Sequence, residues 1–187
     1  MNEKISLRRA TADDARFIAE NVLRALHIEE TQEEHIEHLA GISRREDTLY
    51  SWRNSTIALY DGVPAGVMVA YDGARYRRMR DITFPMIRIY VGDDYHKMDD
   101  EAAPGEYYLD SLAVLPEFRR KGIASALIRE MFRQRDQAGI PLATIAVDPD
   151  NDTAYRLYTR SGFSLDGKIT VFGTTYDRLV ARSRITL

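Results

Sequence analysis

Several strands are marked by alternating or continuous apolar residues. Lys4–Arg9 alternates apolar and polar positions, which predicts a first strand. Two apolar runs, Thr56–Tyr60 and Val63–Tyr71, flank the dipeptide Asp61-Gly62. An Asp-Gly pair between such runs is a strong signal for an antiparallel hairpin. The tail, Phe163–Arg182, predicts one or two closing strands.

The helical segments carry apolar residues three and four positions apart. This spacing predicts helices over Phe17–Leu26, Gln32–Ile42 and Ile123–Ala138. Gly139 ends the last of these, since glycine accepts the left-handed conformation that follows many helices. A shorter helix is expected to begin after Asn151 or Asp152, which cap it, and to end at Gly162.

The middle of the chain contains two clear strands and one irregular stretch. Tyr107–Leu115 and Leu142–Val147 are the strands. Between the hairpin and the first of them, Asp72–Glu106 is interpreted as an inserted helix plus loop. Its arginines, Arg75–Arg80, either contact an anionic group or form a solvated, ion-paired helix face. Its acidic cluster, Asp93–Glu101, either attracts a cationic amine or is simply solvated.

Composition narrows the class of protein. With 187 residues, 44% of them hydrophobic, residues 1–187 are expected to form a single domain. The net charge of −3 argues against general nucleic-acid binding, which usually requires a basic surface. The chain has no cysteine, which excludes disulfides, cysteine nucleophiles and thiolate zinc sites, and fits a reducing compartment.

No targeting, membrane or metal signal emerges from the sequence. The N-terminus lacks the apolar core of a signal peptide, and no run approaches the ~20 apolar residues that cross a bilayer. We therefore expect a cytoplasmic protein that does not bind membranes. His35 and His38 lie three positions apart on a predicted helix, but no matching ligand set accompanies them. No metal site is expected.

The most informative segment is the passage from strand to helix at Arg119–Ala124. The first N–H groups of a helix lack partners within the helix and carry the positive end of its dipole, so they favour anions. Gly122 and the small Ala124 allow a bulky anion to approach the backbone, and the neighbouring residues Arg119, Arg120 and Lys121 add positive charge. The segment therefore predicts a phosphate or pyrophosphate site; the alternative is a basic loop that only happens to precede a helix. Neither the P-loop motif nor the dinucleotide-binding glycine motif is present.

This segment and a second motif resemble one superfamily. Arg119–Ala124 is similar to the Arg/Gln-x-x-Gly-x-Gly/Ala motif of the GNAT superfamily of acyl-CoA-dependent N-acyltransferases, and Leu112–Glu117 looks like its usual lead-in. Asn151–Phe163 matches the family pattern Asn-x-x-Ala-x-x-Leu-Tyr-x-x-x-Gly-Phe. The resemblance covers about Tyr107–Phe163 and implies a GNAT-like α/β fold. This is a mixed, mostly antiparallel central sheet of about six or seven strands with helices on both faces.

The resemblance also implies how a cofactor is held. In similar enzymes two neighbouring strands splay apart and the pantetheine arm of acetyl-CoA lies between them. Main-chain groups of Leu112, Ala113 and Val114 would bind that arm, and the Val114 N–H would point at the thioester oxygen, where charge grows during attack. The pyrophosphate would be held by the N–H groups that run from Lys121 through Gly122, Ile123 and Ala124 to Ser125. Asn151 either bonds the arm, caps its helix, or does both.

The same resemblance suggests catalytic residues. Tyr158 stands where the family commonly places the general acid that protonates the departing thiolate; alternatively it only packs against the sheet. Tyr108 and Asp110 share a strand face with Leu112 and Val114, directed toward an acceptor cleft in some relatives. Asp110 is the candidate general base. It requires burial or a nearby like charge to raise its pKa, and otherwise orients the substrate ammonium or bonds a neighbouring backbone group.

The sequence thus predicts an N-acetyltransferase that moves an acetyl group from acetyl-CoA to a primary amine by direct attack in a ternary complex. No residue resembles a covalent acyl carrier. One alternative is a non-catalytic acyl-CoA-binding sensor or regulatory module on the same fold. Another is an interaction protein that uses the insert as its binding surface. The amine, the acyl length and the choice between monomer and homodimer stay open.

Overall fold

The computed structural model describes residues 4–26, 32–91 and 98–183. Seven strands and five α-helices lie in these ranges. The strands are β1 (Ile5–Arg9), β2 (Ser55–Tyr60), β3 (Val63–Asp72), β4 (Glu106–Val114), β5 (Leu142–Val147), β6 (Ser164–Val171) and β7 (Thr174–Arg182). The helices are α1 (Ala15–Ala25), α2 (Glu33–Ser43), α3 (Tyr76–Val91), α4 (Ile123–Gln137) and α5 (Asp152–Arg160).

The strands follow the order β1-β2-β3-β4-β5-β7-β6 in a seven-stranded sheet. β4 and β5 pair in parallel, whereas β1–β2, β2–β3, β5–β7 and β6–β7 pair antiparallel. The predicted mixed, mostly antiparallel sheet of six or seven strands is therefore confirmed, and so is the GNAT-like α/β fold class.

The chain packs as two compact units, which we call the first unit (Met1–Ala70 with Ser111–Leu127) and the second unit (Tyr71–Asp110 with Ile128–Leu187). The single domain expected from the chain length stays a prediction.

The first unit is built around the β2–β3 hairpin. Its turn is the predicted Asp61-Gly62 pair, and both residues have positive φ, 49° and 82°, as a two-residue hairpin turn requires. Tyr60 pairs with Val63 directly across this turn. Buried side chains of this unit come from α1, α2, β2 and β3, and they include Ile18, Val22, Leu23, Leu39, Ile42, Ile57 and Val67.

The second unit contains the insert, most of α4 and the β5–β7–β6 antiparallel strands. Asp72–Glu106 contains α3 and, over residues 98–105, irregular chain, and its interpretation as an insert stays a prediction. Residues 92–97 of the insert, which include the predicted acidic Asp93 and Asp94, lie outside the described residues. Two aromatic pairs pack within the unit, with ring centroids 5.2 Å apart in Phe84–Phe172 and 5.4 Å apart in Phe132–Phe163.

Candidate active site

The passage from β4 to α4 adopts an unusual backbone conformation. A short 3₁₀ turn at Pro116–Phe118 leads into Arg119, which is extended. Arg120 then has φ 61° and Gly122 has φ 88°, so two residues of the turn are left-handed. Successive N–H groups in such alternating turns form concave anion-binding arrangements, and α4 begins directly afterwards at Ile123.

Gly122 is required by its backbone angle and not by crowding. A Cβ added there would meet only the Ile5 Cδ1 atom, at 4.0 Å, so the space above the turn is open. The Ala126 N–H donates to the Gly122 carbonyl oxygen at 3.0 Å, which is the first bond of the helical ladder. The N–H groups of Ile123, Ala124 and Ser125 precede that bond, so they point out of the helix N-terminus. The turn therefore combines unused donors with room for a ligand.

Three cationic side chains surround these donors. Arg119, Arg120 and Lys121 are all exposed, and none of them forms a salt bridge with a described residue. The Lys121 ammonium lies 5.0 Å from the centroid of the Tyr60 ring. The Arg119 Nε donates a long bond to the Val114 carbonyl oxygen, at 3.4 Å. The positive charge of the turn is therefore available to an anion from solvent.

The end of β4 presents alternate peptide groups to opposite edges of the strand. The Leu115 N–H donates to the Ala65 carbonyl oxygen at 2.9 Å, so the N–H and C=O groups of odd-numbered residues in this part of the strand face β3. Gly66 of β3 approaches closely there, since an added Cβ would lie 2.7 Å from the Ala113 carbonyl oxygen. The main-chain groups of Leu112 and Val114 consequently point away from β3, whereas those of Ala113 point toward it.

The β4–β5 register is short. Parallel pairing runs from Glu106↔Leu142 to Tyr108↔Thr144. Within the second unit β4 continues to Asp110 and β5 continues to Val147 beyond these pairs. On its other edge β5 pairs with β7 along its whole length, from Leu142↔Arg182 to Val147↔Asp177. Beyond the last pair with β4, Ile145–Val147 thus remain paired with β7 along one edge.

Tyr108 and Asp110 lie in a cluster of tyrosines and carboxylates within the second unit. The Tyr71 hydroxyl donates to Asp110 Oδ2 at 2.8 Å, and the Tyr108 hydroxyl donates to Glu101 Oε2 at 2.8 Å. The Tyr76 hydroxyl donates to Glu101 Oε1 at 3.3 Å. The two hydrogen-bonded pairs are adjacent, because the rings of Tyr71 and Tyr108 lie 5.8 Å apart between centroids.

Burial sets the protonation of this cluster. Desolvation, followed by the charge of Asp110, raises the pKa of Glu101 to about 7, although hydrogen bonds from Tyr108 and Tyr76 partly offset this. Desolvation is also the largest cause that raises the pKa of Tyr71, Tyr76 and Tyr108, and nearby carboxylate charges add to it. The tyrosines therefore stay protonated as hydrogen-bond donors, while the carboxyl group of Glu101 titrates near neutral pH.

α5 carries the other two predicted site residues. The Asn151 Oδ1 accepts a hydrogen bond from the Ala154 N–H at 3.0 Å, so Asn151 is the N-cap of this helix. Tyr158 is buried, and its ring meets Phe163 edge-on with centroids 5.8 Å apart. Burial raises the pKa of Tyr158. Its hydroxyl has no hydrogen-bond partner among residues 4–26, 32–91 and 98–183.

The predicted site residues are thus divided between the two units. Val114 and the turn that follows it belong to the first unit, whereas Tyr108, Asp110, Asn151 and Tyr158 belong to the second. Sequence reasoning missed the role of Glu101 in the cluster, because Glu101 ends a run of acidic residues that resembles a solvated loop. The available signal was the alternation of Tyr108 and Asp110, which indicated a polar strand face in need of a partner.

The predicted absence of a metal or membrane segment can be compared with the described ranges alone. There, no group of three or more His, Asp or Glu side chains is arranged to hold a metal ion. None of the described helices combines the length and apolar character needed to span a membrane.

Comparison with known proteins defines the class. The sequence model of the Acetyltransferase (GNAT) family matches residues 19–163. The chain therefore belongs to the GNAT acetyltransferase family, and it is an acyltransferase.

Solved structures share the fold over almost the whole chain. One described as an acetyltransferase has a TM-score of 0.74 and 24% identity, with 95% of this chain and 98% of that chain covered. The N-acetyltransferase from Staphylococcus aureus Mu50 has a TM-score of 0.78 and 19% identity, covering 94% and 100%. The PaiA N-acetyltransferase from Thermoplasma acidophilum, in complex with coenzyme A, has a TM-score of 0.58 and 15% identity, covering 96% and 99%.

Proposed function

We propose that this protein is an N-acetyltransferase that transfers the acetyl group of acetyl-CoA directly to a primary amine. The observation that carries the proposal is the turn at Arg119–Ser125. It combines left-handed backbone at Arg120 and Gly122, three exposed cations and the open N-terminus of α4. A pyrophosphate needs several N–H donors and positive charge at close range, and this turn supplies both.

Cofactor binding is assigned to main-chain groups near that turn. The N–H groups of Lys121–Ser125 bind the pyrophosphate, and Arg119 and Arg120 neutralise its charge. The main chain of Leu112 and Val114 binds the pantetheine arm, which the peptide orientation in β4 supports because these groups point away from β3. The peptide groups of Ala113 face β3, so Ala113 contributes to the binding of the arm through its small side chain. Asn151 contacts the arm in addition to capping α5.

The acetyl transfer requires three proton transfers. The acceptor ammonium first loses a proton to Asp110, because only the neutral amine has a lone pair to donate. The nitrogen then forms a bond to the acetyl carbon, and the carbon–sulfur bond breaks with its electron pair on sulfur. Tyr158 gives its proton to that sulfur and recovers one from the new amide nitrogen. In sum, an ammonium and acetyl-CoA give an amide, free CoA and one proton.

Environment supports Tyr158 as the acid. Burial raises its pKa, so the hydroxyl is protonated before transfer. A thiolate in the same kind of desolvated surroundings also has a raised conjugate-acid pKa, which reduces the free-energy cost of the proton transfer. The Val114 N–H stabilises the negative charge that grows on the thioester oxygen during attack.

Calorimetric titration with acetyl-CoA tests this function, with free CoA and ATP as controls. We expect CoA-selective binding, followed by thiol release that depends on added amine. Binding of ATP as tight as that of acetyl-CoA would contradict a CoA site. Acetyl-CoA binding without thiol release across alkyl, aryl and peptide amines would instead favour the sensor alternative.

A further inference from the structure

One cluster contains residues that differ in their exposure to solvent: Tyr71, Tyr76, Glu101, Tyr108 and Asp110. The three tyrosines are buried, with 1%, 0% and 2% of their surface exposed for Tyr71, Tyr76 and Tyr108. Glu101 and Asp110 are half-buried. Within the cluster only the two acidic residues therefore keep partial exposure, and their carboxylates accept hydrogen bonds from buried hydroxyls.

Glu101 is positioned firmly although it lies in an irregular segment. On one side, the Asp99 N–H donates to the Thr170 carbonyl oxygen at 2.9 Å, and Asp99 Oδ2 accepts from the Thr170 N–H at 2.7 Å. On the other side, the Glu106 N–H donates to the Ala103 carbonyl oxygen at 3.1 Å and closes a turn into β4. These contacts hold the segment on both sides of Glu101, which accepts the hydrogen bond from Tyr108.

The charges that face Glu101 are mainly negative or neutral. Asp110 and Tyr108 face it from β4, and Tyr76 faces it from α3. Burial is the main cause that raises the pKa of Tyr176 in β7, and the charge of Glu101 adds a smaller part to that rise. The Arg80 guanidinium lies over the Tyr76 ring, 5.9 Å from its centroid, and Arg80 is paired with Asp100 and Asp81.

We propose that Glu101 and Asp110 together bind the acceptor amine, and that this acceptor is an alkylamine that arrives as an ammonium ion. The inference rests on the proposed function and adds a second carboxylate and a substrate class to it. An ammonium carries three N–H donors and one positive charge, which two adjacent carboxylates match. A neutral arylamine has no such charge and gains little from the pair.

The pair also provides the proton acceptor. When one of the two carboxyl groups is protonated, the other keeps a negative charge that holds the ammonium. Arrival of the ammonium favours the doubly ionised pair and releases the shared proton. One carboxylate then takes a proton from the ammonium, which leaves the neutral amine with its lone pair. A single proton is transferred, and the remaining negative charge stays in the centre.

The first test measures the proton on Glu101 directly. Carboxyl resonances of ¹³C-labelled glutamate are titrated with pH, and the Glu101 signal is identified by its loss in Glu101→Gln. We expect a midpoint near neutral pH that falls when benzylammonium is added, and that does not fall with tetraethylammonium at equal ionic strength. Tyr108→Phe removes a bond that stabilises the carboxylate, so it should raise the midpoint. A pH midpoint that does not change when benzylammonium is added would overturn the inference.

The second test uses turnover and cofactor binding as separate readouts. Glu101→Gln should raise KM for benzylamine about tenfold or more, as expected for a lost charge-assisted hydrogen bond, and should leave KM for aniline within about twofold. Asp100→Asn removes a carboxylate one residue earlier and serves as the matched control, with little change for either amine. Equal changes for benzylamine and aniline would refute the ammonium-binding role.

Calorimetry with acetyl-CoA distinguishes a failure of the proposed function from a failure of the carboxylate-pair inference. If wild-type protein binds no acetyl-CoA, the proposed function fails. If acetyl-CoA binds equally to the wild type and to Glu101→Gln, and amines are acetylated with unchanged KM in the variant, only the carboxylate pair is refuted.

Discussion

The sharpest prediction concerns Gly122→Ala. Gly122 has φ 88°, a conformation that costs an L-residue about 1–2 kcal/mol. Because an added Cβ would meet only one side-chain atom, at 4.0 Å, no steric cost inside the protein adds to this value. For a chain of this size the lost stability corresponds to a fall in Tm of about 2–4 °C per kcal/mol.

The effect on acetyl-CoA affinity should be larger than the effect on stability. If the turn relaxes, two or more N–H donors move away from the pyrophosphate. If it does not relax, the methyl group occupies the open space above the turn. Loss of two charge-assisted hydrogen bonds, at about 1.5 kcal/mol each, weakens binding by on the order of 100-fold.

Gly139→Ala is the matched control for this prediction. Gly139 follows the other end of α4, has φ 68°, and has nothing within 4 Å of the position that a Cβ would take. It should therefore lose comparable stability and keep wild-type affinity. Calorimetry with acetyl-CoA and thermal unfolding of both variants give the comparison. Wild-type affinity in Gly122→Ala, together with the same fall in Tm as Gly139→Ala, would refute the phosphate-turn assignment.

Four further predictions concern the second unit. Tyr158→Phe should lower kcat by about 100-fold or more without changing acetyl-CoA affinity, and full turnover would refute its acid role. Asp110→Asn should flatten the rise of kcat/KM with pH, and an unaltered profile would reassign Asp110 to positioning. Asn151→Ala should cost about 1 kcal/mol through the lost cap, seen as a lower Tm; weaker acetyl-CoA binding in addition would support contact with the arm. Glu101 has a folded-state pKa of about 7 against an ordinary 4.5, so the folded protein binds more protons between these values and stability falls as pH rises through this window. Glu101→Gln should remove that fall in Tm, and equal slopes in both proteins would contradict it.

Sequence patterns predicted the helices, strands and turns whose structure is determined by residues close together in the chain. The hairpin at Asp61-Gly62, the β5 strand and the capped α5 all occur where alternation, turn residues and an N-cap indicated them. The turn at Gly122 was also accessible from the sequence, because glycine and basic residues before a helical pattern have a direct meaning for anion binding. In these segments the residues that determine the structure are close together in the chain.

The acidic part of the cluster could not be predicted in this way. Glu101 reaches Tyr108 because Asp99 pairs with Thr170, 71 positions away, and because Gly73 allows Ala103 to approach the start of α3. A Cβ at position 73 would collide with the Ala103 carbonyl oxygen. The arginine cluster follows the same rule: Arg77 and Arg80 pair with Asp100, as an ion-paired helix face would, but the sequence alone left this choice open.

The cluster also answers a difficulty that the sequence raised about Asp110. An isolated aspartate is too weak a base to accept a proton readily from an ammonium, and it needs burial or a like charge to become stronger. Glu101 provides that like charge, and the buried tyrosines provide donors that do not ionise themselves. Without the hydrogen bonds from Tyr108 and Tyr76, the pKa of Glu101 would be higher still, and the uncharged carboxyl group would bind an ammonium poorly. Without the burial, the pKa of Glu101 would not be raised and its carboxylate would accept the proton poorly. The arrangement therefore balances attraction for a cationic amine against the ability to deprotonate it, which is the balance that transfer to an alkylamine requires.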